Sequence, residues 1–98
     1  MREMLSYVYI LASKKNGTFY TGVTTDISRR IWGHKEKIIP GFTKECSVTR
    51  LVYYECFYDV VDAIKREKRL KKYKRQWKIN LIEGKNIFWK DLYEEVCF

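Results

Sequence analysis

Cysteine is scarce in this 98-residue chain and shows no pairing pattern. The three present, Cys46, Cys56 and Cys97, are odd in number and include no C-x-x-C pair, so their spacing reads as neither a disulfide framework nor a zinc knuckle. They are expected to be reduced thiols, and a zinc site joining Cys46, Cys56 and His34 ranks well below ordinary core packing for them. Long apolar runs are missing too. The longest uncharged apolar run, Leu5 to Ser13, falls well short of the roughly 20 residues that cross a bilayer, and Arg2 and Glu3 precede no signal-peptide pattern with a small-residue cleavage site. No repeat or low-complexity segment interrupts the chain, and its length leaves no room for a second sizeable core. What is present is bulk: five Phe, eight Tyr and three Trp, within 46% hydrophobic residues, supply one core and exclude intrinsic disorder. The expectation is one domain over residues 1–98, soluble and cytoplasmic, without a membrane partner.

Acids are in the minority, 12 against 20 Lys and Arg, and the imbalance is local. Lys65–Lys78 holds nine bases and one acid, Glu67, for a net charge of +8, whereas the other 84 residues balance eleven bases with eleven acids. One segment makes the protein basic, which is the electrostatic footprint of a phosphate-backbone binder. A basic run is ordinarily a solvated helix face, and an acidic protein or a membrane surface are the competing partners. Concentration of the whole net charge in 14 residues favours nucleic acid, with Lys68, Lys71, Lys72 and Arg75 expected on phosphates.

Two runs rich in β-branched and aromatic residues, Tyr7–Leu11 and Thr18–Val23, flank Lys14-Lys15-Asn16-Gly17 and read as a β-hairpin. Asn16-Gly17 suits a two-residue turn with φ > 0 at both positions, which pairs Ser13 with Tyr20, Leu11 with Gly22 and Tyr9 with Thr24. Side chains alternate along a strand, so Tyr9 and Tyr20 emerge on one face, with the bare Gly22 between them leaving room for a ligand to approach. Thr24-Thr25-Asp26 then offers N-cap oxygens to a helix whose stripe is Ile27, Ile31, His34 and Ile38. Ile39-Pro40-Gly41 stops it. Arg30 and His34 are i,i+4 neighbours at the edge of that stripe. Phe42–Arg50 has no period and reads as a loop with a short helical turn, and Leu51–Phe57 is a third strand by composition. From Asp59 onward Val60, Ala63, Ile64, Glu67, Leu70, Tyr73 and Trp77 share one helical stripe, with a break near Arg75. Glu83-Gly84-Lys85 ends the second half, and Trp89, Leu92 and Tyr93 pack the tail. The expected fold is α/β (α+β): a small, mainly antiparallel three-stranded sheet flanked by helices, in the order β-β-α-β-α-α.

Two same-face tyrosines, an arginine and a histidine one turn apart, and an inward glutamate on a basic helix are parts for phosphodiester hydrolysis. That chemistry needs a group to activate water, a cation for phosphate oxygens, and a carboxylate holding a divalent metal. A lone carboxylate suits Mg²⁺, which keeps several waters and takes further ligands from phosphate. Each residue also has a bland meaning: Tyr9 and Tyr20 as core aromatics, and Glu67 as half of a salt bridge to an arginine of another element.

Together these residues resemble the GIY-YIG nuclease superfamily, and most of all its small single-domain bacterial members. Tyr7-Val8-Tyr9 is similar to the first signature, with tyrosine for the leading glycine and valine for isoleucine. Tyr20-Thr21-Gly22 is similar to the second, with threonine in the middle. Arg30 follows Gly22, and Glu67 lies in a basic second helix, as in the family. Asn86-Ile87-Phe88-Trp89-Lys90-Asp91-Leu92 is similar to the family's Asn-Pro-x-Trp-x-Asp-Leu ending, with isoleucine for proline. The resemblance implies that Tyr9 and Tyr20 orient or deprotonate the attacking water, that Arg30 binds the scissile phosphate with His34 beside it, and that Glu67 holds one Mg²⁺ or Mn²⁺. It also implies a site asparagine, Asn86 by motif or Asn80 as the rival. A free tyrosine pKa near 10 makes the phenol a demanding base, and Tyr9 is the preferred one of the two.

The function expected is a metal-dependent endonuclease acting on DNA, with RNA not separated from DNA by the sequence. The alternative is a catalytically weak nucleic-acid-binding module on the same scaffold, and a third reading is a protein-interaction domain using the basic helix.

Overall fold

The computed structural model describes residues 5–37 and 47–97. Ile38, the helix stop at Ile39-Pro40-Gly41, Cys46 and most of the expected 42–50 loop lie outside them. Strand β1 (Ser6–Ala12) is central, with β2 (Phe19–Thr24) on one side and β3 (Arg50–Phe57) on the other, both antiparallel to it. Helix α1 (Ile27–Lys35) follows β2, and α2 (Val60–Lys71) and α3 (Arg75–Lys85) follow β3. A 3₁₀ turn at Tyr93–Val96 closes the tail. This is the expected α+β order. No helix of the described residues is long and apolar enough to cross a membrane.

Every residue of β1 is buried, because both faces of the sheet are covered. One face gathers Tyr7, Tyr9 and Leu11 with Ile27 and Ile31 of α1, Leu51 and Val96. The other packs Val8 against Ala63 and Leu70 of α2, and Ile10 and Ala12 against Val52, Ile82 and Trp89. Asp26 caps α1 by accepting from the Arg29 amide at 3.3 Å, and Asp59 caps α2 from the Val61 amide at 2.8 Å.

The hairpin register differs from the expected one by two residues. Tyr9 pairs with Gly22 and Leu11 with Tyr20. The loop is Lys14–Gly17, closed by the Ser13 amide donating to the Thr18 carbonyl at 3.0 Å, and Asn16 adopts φ 57°. Its carbonyls explain the longer loop: the Arg75 guanidinium donates to Asn16 O at 2.6 Å and Gly17 O at 2.5 Å. A residue 59 positions away thus takes part in setting the turn. A shift of two preserves side-chain parity, so Tyr9 and Tyr20 still share a face.

The long stripe expected after Asp59 is only partly inward. Ala63 and Leu70 are buried, while Val60, Ile64 and Trp77 are exposed. The chain leaves helix at Lys72–Lys74 and restarts as α3, so Trp77 does not continue the face of α2. Cys56 and Cys97 are exposed free thiols instead of core residues, Cys56 because it sits near the far end of β3.

Candidate active site

Tyr9, at the centre of β1, is 1% exposed, and its ring fills the space above Gly22 on the neighbouring strand. A Cβ built on Gly22 would lie 2.5 Å from Tyr9 Oη. The glycine is therefore required to seat the phenol, and the opening expected there for a ligand is occupied by Tyr9 itself. Ile27 and Ile31 anchor α1 on this face, and one turn on they deliver His34, which is also buried. Tyr9 Oη and His34 Nε2 are 3.2 Å apart. Tyr20 completes an aromatic triangle, with ring centroids 6.3 Å from Tyr9 and 5.6 Å from His34. Tyr20 is half-buried, so it forms the accessible end of the cluster and Tyr9 the enclosed end.

Electrostatics draw two further residues into the group. Burial pushes the Tyr9 phenol well above its ordinary pKa; the neighbouring Tyr20 and Glu67 push in the same direction, and Arg30 opposes them. His34 is held below its ordinary 6.5, first by burial and then by the Arg30 charge. Neutral imidazole beside neutral phenol is the state both shifts favour at neutral pH. With the imidazole proton on Nδ1, Tyr9 donates to Nε2.

Arg30 is exposed on α1 and has no carboxylate in an ion pair among the described residues. It lines an open cleft of about 420 Å³ with Arg29, Trp32 and Gly33. Glu67 shares the inward side of α2 with Ala63 and Leu70, and only 14% of its side chain is exposed. Its partner is Lys71 of the same helix at 3.4 Å, and among the described residues no salt bridge joins it to another element. Among the described residues the arginine whose ion pair crosses between elements is Arg66, whose Nε and Nη2 donate to Glu55 of β3, each at 2.9 Å. That fork fixes α2 to the sheet one residue before Glu67, a contact no local pattern announces.

Among the described residues no group of three or more His, Cys, Asp or Glu could hold a metal ion. The donor set is a single enclosed carboxylate with a displaceable lysine, which fits a hydrated Mg²⁺ or Mn²⁺ that completes its shell with water and phosphate, and not an all-protein cage. Asn86 is not brought to Tyr9. Its Nδ2 donates to Val52 O at 3.0 Å and Lys90 O at 2.8 Å, and its Oδ1 accepts from the Lys90 amide at 3.0 Å, so it tethers the tail after α3. Asn80 is exposed and accepts from Gln76. Lys68, Lys71 and Lys72 are exposed on and just after α2. Arg75 is committed to the hairpin carbonyls and stacks on Phe19 at 4.2 Å from the ring centroid.

Residues 5–80 match the family model described as the GIY-YIG catalytic domain. A UPF0213 protein of Clostridium perfringens is 34% identical over 92 residues, covering 94% of this chain and 98% of that one. Another from Staphylococcus saprophyticus is 40% identical over 76 residues, covering 78% and 92%. The solution NMR structure of a UPF0213 protein from Bacillus halodurans is 36% identical, with a TM-score of 0.53 over 85% of this chain and 87% of that one.

Proposed function

The chain belongs to the GIY-YIG family of nuclease-type catalytic domains, and we propose that it is a metal-dependent endonuclease hydrolysing phosphodiester bonds of DNA. The observation that carries this reading is the Tyr9–Tyr20–His34 cluster, with the charges of Arg30 on α1 and Glu67 on α2 acting on its central hydroxyl.

Tyr20, at the accessible end, orients the attacking water. As the water oxygen bonds to phosphorus, the water gives a proton to Tyr9 Oη while Tyr9 passes its own proton to His34 Nε2. The double transfer avoids a free tyrosinate; the imidazolium it leaves is disfavoured by burial and by Arg30, so its proton passes on to solvent and neutral His34 is restored. The bridging P–O bond breaks and the departing oxygen takes a proton from solvent. Arg30, with a planar guanidinium and no competing ion pair among the described residues, grips the scissile phosphate and stabilises its growing charge. Glu67 would hold the Mg²⁺ or Mn²⁺, which supplies Lewis-acid polarisation of the phosphate beside it.

The runner-up, a binding module with little turnover, is favoured by the Glu67–Lys71 pair, which neutralises the metal-binding carboxylate. Incubation with supercoiled, branched and single-stranded DNA, with and without Mg²⁺ or Mn²⁺, separates the two. Metal-dependent nicking is the expected result, and tight binding without nicking in any arm would establish the module.

A further inference from the structure

A groove of about 530 Å³ runs between the hairpin loop and the start of α3, lined by Gly17, Thr18, Phe19, Tyr73, Arg75 and Lys78. No carboxylate lines it, and the first turn of α3 carries no acid. Arg75 builds one wall by bonding the loop carbonyls and covering Phe19, which also holds its charge in place. Lys78 is half-buried and has no ion-pair partner among the described residues.

We propose that this groove is a second phosphate site, in which Lys78, beside Arg75, holds the backbone of the nucleic-acid strand adjoining the scissile phosphodiester. It rests on the reading of the chain as a nucleic-acid enzyme. Crowding cations in a partly desolvated groove is unfavourable unless an anion offsets it. Burial, then Arg75, then Lys71 all disfavour the charged form of Lys78, so an anion seated in the groove would offset all three. A phosphodiester supplies that charge at any nucleic-acid sequence, and the exposed Thr18 offers a hydroxyl beside it. Lys71 connects the groove to the catalytic cluster, because the same ammonium lies 3.4 Å from Glu67. Lys68 and Lys72, by contrast, face bulk solvent and add long-range attraction without a shaped site.

The test compares the wild-type chain with Lys78→Gln, Lys78→Arg and, as a control at an exposed lysine that does not line the groove, Lys90→Gln. Affinity for a short DNA duplex is measured over a range of salt without metal, and hydrolysis of the one-phosphate substrate bis(p-nitrophenyl) phosphate is measured with Mn²⁺. Lys78→Gln is expected to weaken duplex binding about tenfold and to reduce the log K against log salt slope by about one. It should leave hydrolysis of the small diester unchanged, since that substrate has no flanking phosphate. Lys78→Arg should keep the slope. A Lys78→Gln slope equal to that of the wild type and Lys90→Gln would overturn the site, as would a glutamate-rich peptide that displaces the duplex from wild type but not from Lys78→Gln. If the wild type neither nicks DNA with Mg²⁺ or Mn²⁺ nor hydrolyses the small diester, the endonuclease reading fails, and the salt slope still decides the groove.

Discussion

Arg66 and Glu67 are neighbours on α2, yet they belong to opposite kinds of polar environment. Arg66 enters a closed network: its guanidinium forks onto Glu55, which also accepts from the Tyr53 hydroxyl. Burial alone would raise the Glu55 pKa, but the hydrogen bonds from Arg66 and Tyr53 and the Arg66 charge hold it below the ordinary value. Among the described residues Glu67 pairs only with a lysine from its own helix, and beyond it lies a tyrosine whose ionisation it opposes. In the first environment each charge has an opposite and both carboxylate oxygens have a donor, as a stabilising network requires. The second leaves charge available to a substrate or cation. Helix α2 uses the first to hold the second in place.

Charge removal at the two positions should therefore have opposite readouts. Glu67→Gln should abolish Mg²⁺-dependent nicking to background while melting temperature and DNA affinity are retained or rise, because the segment of nine bases loses its only acid. A Glu67→Gln protein that melts far lower yet nicks DNA when folded would make Glu67 structural. Arg30→Lys keeps the charge but not the two-pronged grip, and nicking should fall by about 10²- to 10³-fold. Full activity in that variant would reduce Arg30 to bulk charge.

Glu55→Gln tests the closed network. It leaves Arg66 without its carboxylate in a partly buried setting, so stability should fall by about 1–3 kcal/mol, read as the shift in denaturation midpoint. Nicking by the folded fraction should drop much less than in Glu67→Gln. Gly22→Ala sharpens the comparison from the sheet side: with the new methyl 2.5 Å from Tyr9 Oη, the ring must move and the contact with His34 breaks. The expected cost is about 1–3 kcal/mol together with loss of nicking, and an unchanged Tyr9 NMR environment would refute that packing.

The smallest effect is in pH. His34 titrates below 6.5 in the folded chain, so between its folded and unfolded values the unfolded state binds more protons. Its contribution to stability is complete above 6.5, declines as pH falls through 6.5, and stops changing below the depressed folded value. Nicking that depends on neutral His34 should fall over the same acidic limb, centred below 6.5. Melting temperature followed across this range in wild type and His34→Gln isolates the term, and coincident curves would remove His34 from it.

Periodicity, caps and motif spacing were legible from the chain alone because they depend on backbone geometry and on neighbours within a few residues. Alternation along β1 and β2 put Tyr9 and Tyr20 on one face, and that conclusion survives a register shift of two because the strand period is two. The Arg30 and His34 spacing needed only one helical turn, and Asp26 capped α1 as its position implies. Partner choice was different. The hairpin register involves Arg75 from another element, Gly22 accommodates a ring from the adjacent strand, and Asn86 ties down the tail instead of approaching Tyr9. Whether Glu67 would pair with a remote arginine or remain in the cluster was equally open. Tertiary packing decided it by giving Arg66 to Glu55, since which charges meet depends on elements that only the folded sheet brings together.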